Sequence, residues 1–183
     1  TRVDTIFGVS FLTLAPELKV TEKIVTEDKK REVLSYIKQT SNKTERERQL
    51  NQNESSGVFT GAFAIHPLSN KKLPIWISEY VLSGYGTGAV MAVPAGDQRD
   101  YDFAKKYQLE IPNIFKNIDI SEKAYTEKDI FFMNSSFLDN CNHLEATEKA
   151  LKKLTKNKCA EKKINYRLRD AIFSRQRYWG EPF

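Results

Sequence analysis

The chain has 183 residues, 29% of them charged and 40% hydrophobic, with 29 Lys and Arg against 24 Asp and Glu for a formal net charge of +5. That length buries one good core and is short for two, so a single domain is expected. No run is apolar enough to span a membrane, and so modest a positive balance permits a polyanionic partner without requiring one.

Thr1 stands where an initiator Met is expected and no secretory pattern follows it, so the sequence reads as a segment of a longer protein. The two cysteines, Cys141 and Cys159, are far apart with no CxxC spacing, and the two histidines, His66 and His143, sit in unrelated contexts. That pattern argues against a zinc or disulfide scaffold and for a reducing, cytoplasmic or organellar setting.

In chain order, residues 5–15 (TIFGVSFLTLA) are rich in β-branched and aromatic side chains and read as a strand. Residues 16–52 turn helical and charged, with an apolar stripe thin enough to suit two or three short surface helices. NQNESSG (51–57) is a loop. Residues 58–65 (VFTGAFAI) and 73–82 (LPIWISEYVL) are strand-like and joined by the turn-rich HPLSNKK, which predicts a hairpin. AVMAV (89–93) is a short strand ending at Pro94, and Asp97 is placed to cap a helix over 97–110. Another strand is expected at 111–115, an amphipathic helix at 143–158 and a last strand at 162–170. This order predicts a compact α/β domain with a mixed, largely antiparallel sheet.

The segment GYGTGAVMAVPAGDQRDYDF (84–103) carries the chemistry. Its glycines follow GxGxG rather than GxGxxG and lead into a strand rather than a helix, so they fail the dinucleotide fingerprint, and no GK[ST] completes a Walker loop. They suit a tight bend or a close backbone approach at a sheet edge. Asp97 and Asp100 fall near a helix N-terminus, where unpaired N–H groups favour carboxylates. Two readings stand side by side: both are caps, or one faces a cleft and holds a cation.

TRVDT (1–5), GYGTGAVMAVPAGDQRDYDFA (84–104) and NYRLRDAIFSRQRYWGEP (165–182) resemble, in order and spacing, the connective-peptide editing domain of leucyl-tRNA synthetase of bacterial or organellar type. The resemblance implies a sheet or barrel core ringed by short helices over 1–165, with 166–183 returning toward a synthetic core. It implies hydrolysis of the ester of misacylated tRNA(Leu), carrying norvaline, isoleucine or methionine. By resemblance Thr5 blocks leucine, Asp100 pairs with the substrate α-ammonium, and Thr1 or Thr5 orients the attacking water. Arg2, Asp4, Tyr85, Gly86, Met91, Val93, Asp97 and Arg99 match substrate-binding positions. No metal or cofactor serves this reaction; ATP and magnesium belong to the full-length enzyme. The implied partners are the tRNA(Leu) 3′ end and the rest of the synthetase, with no membrane, in a monomer.

The chain departs from the family at Gly96, Val3 and Ala171, where relatives commonly carry histidine, proline and tryptophan. Two alternatives stay open, an RNA-binding module whose editing has decayed and the editing domain of an isoleucine or valine synthetase. The terminal tract interleaves Arg167, Arg169, Arg175 and Arg177 with Tyr166, Tyr178 and Trp179, either a nucleic-acid platform or a linker. Lys149, Lys152, Lys153, Lys156 and Lys158 are read as a solvated helix face.

Overall fold

The computed structural model describes residues 2–41, 56–82 and 86–162. Its sheet has four strands: β1 (Phe11–Leu14), β2 (Gly57–Ile65), β3 (Lys72–Ser78) and β4 (Ala89–Ala92), in the order β2-β3-β1-β4. β2 and β3 form the expected antiparallel hairpin. β1 lies parallel to β3 and antiparallel to β4, so two of the three pairings are antiparallel. The sheet is open rather than closed into the barrel that the resemblance allowed, because β2 and β4 end the order as edges.

Three apolar clusters hold the sheet. On one face α3 (Gln98–Lys106) lays Phe103 against Phe11, the rings stacked at 5.1 Å, with Trp76 edge-on at 5.5 Å. Gly57 permits this approach, since a Cβ there would come within 2.7 Å of the Phe103 ring. On the other face α1 (Val20–Ile24) and α2 (Lys30–Ser41) cover Leu14, Val58 and Ile77. Of the α2 side chains only Val33 and Thr40 are buried, in keeping with the thin stripe in the sequence. The third cluster joins Ile6, Val9 and Val93 to the irregular stretch 111–138 and to α4 (His143–Lys156). The five lysines expected on a solvated helix face are all exposed.

Two expected strands are corrected. Residues 5–15 divide into a 3-10 helix, Val3–Gly8, and the short β1. The Arg2 carbonyl accepts from both Thr5 N–H (3.2 Å) and Thr5 Oγ1–H (2.9 Å), a local closure that competes with an extended chain. Residues 111–115 form no strand beyond a single bridge, Phe115 to Phe132. Pro112 supplies no N–H, and the Asn113 side chain takes Phe115 N–H (2.9 Å) and donates to the Ile118 carbonyl (2.8 Å), closing a local turn. The strand expected at 162–170 falls almost wholly, and the return segment 166–183 entirely, outside the described residues.

Candidate functional site

The site grows from the two sides of β4. Before it, Gly86 and Gly88 adopt left-handed backbone (φ +66 and +70), and Gly88 accepts Ala15 N–H at 2.8 Å. That is the bend at a sheet edge the glycine spacing suggested. Beyond β4 the chain turns at 93–96, with Gly96 N–H to the Val93 carbonyl at 2.9 Å, and enters α3.

Asp97 and Asp100 separate cleanly in role. Asp97 is the N-cap: its Oδ1 accepts Arg99 N–H at 2.9 Å and Asp100 N–H at 3.4 Å, and its other oxygen meets Arg99 Nη2 at 3.4 Å. Both side chains are near half exposed. Asp100 is no cap. It turns inward, 5% exposed, where Oδ2 accepts Val93 N–H and Oδ1 accepts Tyr80 Oη–H, each at 2.9 Å. With the Tyr80 proton so placed, Thr13 Oγ1 donates to Tyr80 Oη at 3.1 Å, completing a buried chain from β1 to α3. Burial pushes the Asp100 carboxyl up, and the nearby Asp97 charge pushes it further. The Val93 and Tyr80 hydrogen bonds and Arg99 oppose them, leaving a pKa of about 6. At neutral pH the group is mostly ionised, and each oxygen keeps a further lone pair.

Thr5 is also enclosed, at 2% exposure, with its hydroxyl hydrogen committed to the Arg2 carbonyl. Toward a water its Oγ1 therefore acts as an acceptor. Val93 packs in the same cluster as Ile6 and Val9, and Met91, half-buried, packs against it. Gly8 closes the contact: a Cβ there would lie 3.1 Å from Val93 Cγ1. The Thr5 segment and Asp100 thus border the same Met91–Val93 stretch, one through packing and the other through Val93 N–H. Thr1 and Tyr85 lie outside the described residues. A hollow of about 320 Å³ lies elsewhere, between α1 and α2, lined by Val25, Val33, Leu34 and Ile37 and free of the expected site residues.

The remaining expected residues make one ion cluster. Arg2 Nε and Nη2 grip the Asp4 carboxylate at 2.9 to 3.1 Å, and His143 Nδ1 meets its Oδ2 at 2.9 Å. Burial raises the Asp4 carboxyl, but the hydrogen bonds and charges of Arg2 and His143 outweigh it, and the group is held below the ordinary carboxylate range. His143 was not singled out in the sequence. Nothing in local spacing links it to Asp4, 139 positions away, and its one signal was the place immediately after a helix cap, Asn142. Tyr80 was missed likewise, being a strand-end aromatic like many others.

The leucyl-tRNA synthetase editing-domain family matches residues 1–155. Among individual proteins, the chain is 58% identical to a leucine–tRNA ligase of Christiangramia forsetii and 50% identical to one of Borreliella burgdorferi. In both cases the whole chain is covered, against 19% and 22% of the relative. The chain therefore spans about a fifth of the length of the relatives it matches. Among solved structures it resembles the agnB2 LeuRS of Agrobacterium radiobacter K84 in a ternary complex with tRNA and LeuAMS. There the TM-score is 0.65 at 26% identity, over 86% of this chain and 16% of that one. With the family match covering most of its length, and full-length similarity to leucine–tRNA ligases, the chain belongs to the leucyl-tRNA synthetase editing domains.

Proposed function

We propose that this domain hydrolyses the ester linking a wrong amino acid, such as norvaline, isoleucine or methionine, to the 3′ end of tRNA(Leu). Water attacks the ester carbonyl, the bond to the ribose oxygen breaks, and the products are the free amino acid and a restored ribose hydroxyl. The need for such a step is a matter of magnitude. One methyl group changes binding by only about 1 to 3 kcal/mol, a figure taken from sister synthetases, so a single pocket rejects near-isosteres poorly. A second pocket that leucine cannot enter removes the errors.

In this reading Thr5 supplies the steric exclusion. Its β-branched side chain is stiff, and the bond from Oγ1 to the Arg2 carbonyl fixes it further. Asp100 supplies the counter-charge for the α-ammonium, which orients the ester for attack. The observation that carries the reading is the inward turn of Asp100 at the end of β4, with a carboxyl ionised at neutral pH, beside the segment that holds Thr5. Arg99 and Gly86 are assigned to the tRNA end in this reading, and both are exposed. The reaction uses no cofactor; ATP and magnesium serve the synthetic reaction of the full-length enzyme.

The test is deacylation by the full-length synthetase of isoleucyl-tRNA(Leu) and leucyl-tRNA(Leu). Rapid loss of label from the first and buffer-rate loss from the second supports an editing enzyme. Buffer-rate loss from both contradicts it and leaves an RNA-binding module.

A further inference from the structure

The two histidines, unrelated in sequence, converge in the fold on one element. His143, the first residue of α4, binds the Asp4 carboxylate through Nδ1 at 2.9 Å. His66, in the β2–β3 turn, binds the Ile6 carbonyl through Nε2 at 2.9 Å. Thr5 lies between these two anchor points.

The partners of each ring nitrogen fix the roles. His66 Nδ1 accepts from Leu68 N–H (3.2 Å) and Ser69 N–H (3.1 Å), so its proton sits on Nε2 and is donated to Ile6. The ring is 3% exposed, far more buried than histidine usually is. His143 faces an ionised carboxylate and is therefore the donor at Nδ1. The clamp reaches Thr5 by short steps: His143 holds Asp4, Asp4 holds the Arg2 guanidinium at 2.9 Å, and the Arg2 carbonyl holds both Thr5 N–H and Thr5 Oγ1–H.

We infer that His66 and His143 are positioning residues that set the Thr5 side chain from both flanks, so that leucine exclusion depends on two groups that never touch the substrate. This rests on the proposed role of Thr5. Neither histidine side chain takes part in the ladders of the sheet, which run between β1, β2, β3 and β4, although His66 also closes the β2–β3 turn through Nδ1. To a 3-10 segment whose own closure comes from a few i to i+3 bonds, His143 supplies one hydrogen bond, and His66 supplies one together with a ring contact to Phe7 at 5.8 Å. Such geometry holds poorly without outside support. A gate that works by contact is sensitive to displacements of about 1 Å.

The experiment compares the full-length synthetase with His143→Ala, His143→Asn and His143→Gln on isoleucyl-tRNA(Leu) and leucyl-tRNA(Leu). Asparagine places an amide N–H where Nδ1 stands, whereas glutamine places it near Nε2. We expect His143→Ala and His143→Gln to raise the leucyl rate relative to the isoleucyl rate about tenfold, the equivalent of one lost charged hydrogen bond. His143→Asn should keep the wild-type ratio. A variant that is merely unstable loses both rates together and gains none. An unchanged ratio in both His143→Ala and His143→Gln, or a parallel fall in both rates, overturns the inference while wild-type editing stands. A wild type inert on isoleucyl-tRNA(Leu) overturns the editing reading itself and the inference with it. Should His143→Ala fail to fold, the Asn and Gln pair decides alone. His66→Ala serves as the independent second flank, and its leucyl-to-isoleucyl ratio should rise in the same direction.

Discussion

With both Asp100 oxygens accepting from Val93 and Tyr80, truncation to alanine would strip two buried donors of their partner and damage folding along with function. Asparagine is the cleaner probe. Its Oδ1 can accept Val93 N–H and its amide can donate to Tyr80 Oη, whose proton then turns to Thr13 Oγ1. We predict that Asp100→Asn folds, loses most deacylation of isoleucyl-tRNA(Leu), and lacks the acid limb near pH 6 that the raised Asp100 carboxyl predicts for the wild-type pH–rate profile. Stability has the opposite sign. A carboxyl whose folded pKa is raised to about 6 binds its proton better folded than unfolded, so the wild type loses stability as pH rises from about 4 to about 6. Two pKa units correspond to about 3 kcal/mol. Urea titrations at pH 4 and 7 should show this slope in the wild type and not in Asp100→Asn. At this scale the sequence was partly legible. It placed Asp97 as the cap and Asp100 in the first turn, but the inward turn of Asp100 depended on Tyr80 and Val93, which periodicity does not connect to Asp100.

α3 exists because Asp97 closes its first turn and because Tyr101, Phe103 and Ala104 form its buried stripe. We predict that Asp97→Ala costs about 1 kcal/mol, the usual worth of a cap, measured by chemical unfolding. Since the same turn orients Asp100, editing should fall as well. Gly96, by contrast, has ordinary backbone, and a Cβ there would make only ordinary contacts, the nearest with the Phe115 ring at 3.5 Å. A single methyl is therefore accommodated, and Gly96→Ala should leave the melting temperature nearly unchanged. The elements most readable from the sequence were those with strong local signals, namely the hairpin, the capped α3 and the amphipathic α4. Residues 5–15 and 111–115 misled because their apolar, β-branched composition suits a strand, while Thr5, Pro112 and Asn113 closed local turns that composition does not register.

Across the molecule, the Asp4 cluster ties the chain's start to α4, the most distant element in sequence. Because the folded Asp4 carboxyl is held below its ordinary value, its stabilisation is complete above about pH 4 and is lost as pH falls through the lower folded pKa. Asp4→Asn should therefore be less stable than wild type at pH 7 in urea unfolding, with the gap closing below pH 4. This long-range tie was not legible in the sequence; the α/β class and the largely antiparallel sheet were. The closed barrel was not formed, because strand order rather than strand content decides closure, and strand order is not written in local pattern. The editing proposal turns on Thr5, in the 3-10 segment whose Ile6 packs with Val93, keeping leucine out of the proposed hydrolytic pocket. It is tested most directly by the rate at which full-length Thr5→Ala deacylates leucyl-tRNA(Leu). A rate approaching that of the wild type on isoleucyl-tRNA(Leu) is predicted, and leucyl-tRNA(Leu) left intact by the variant would contradict the account.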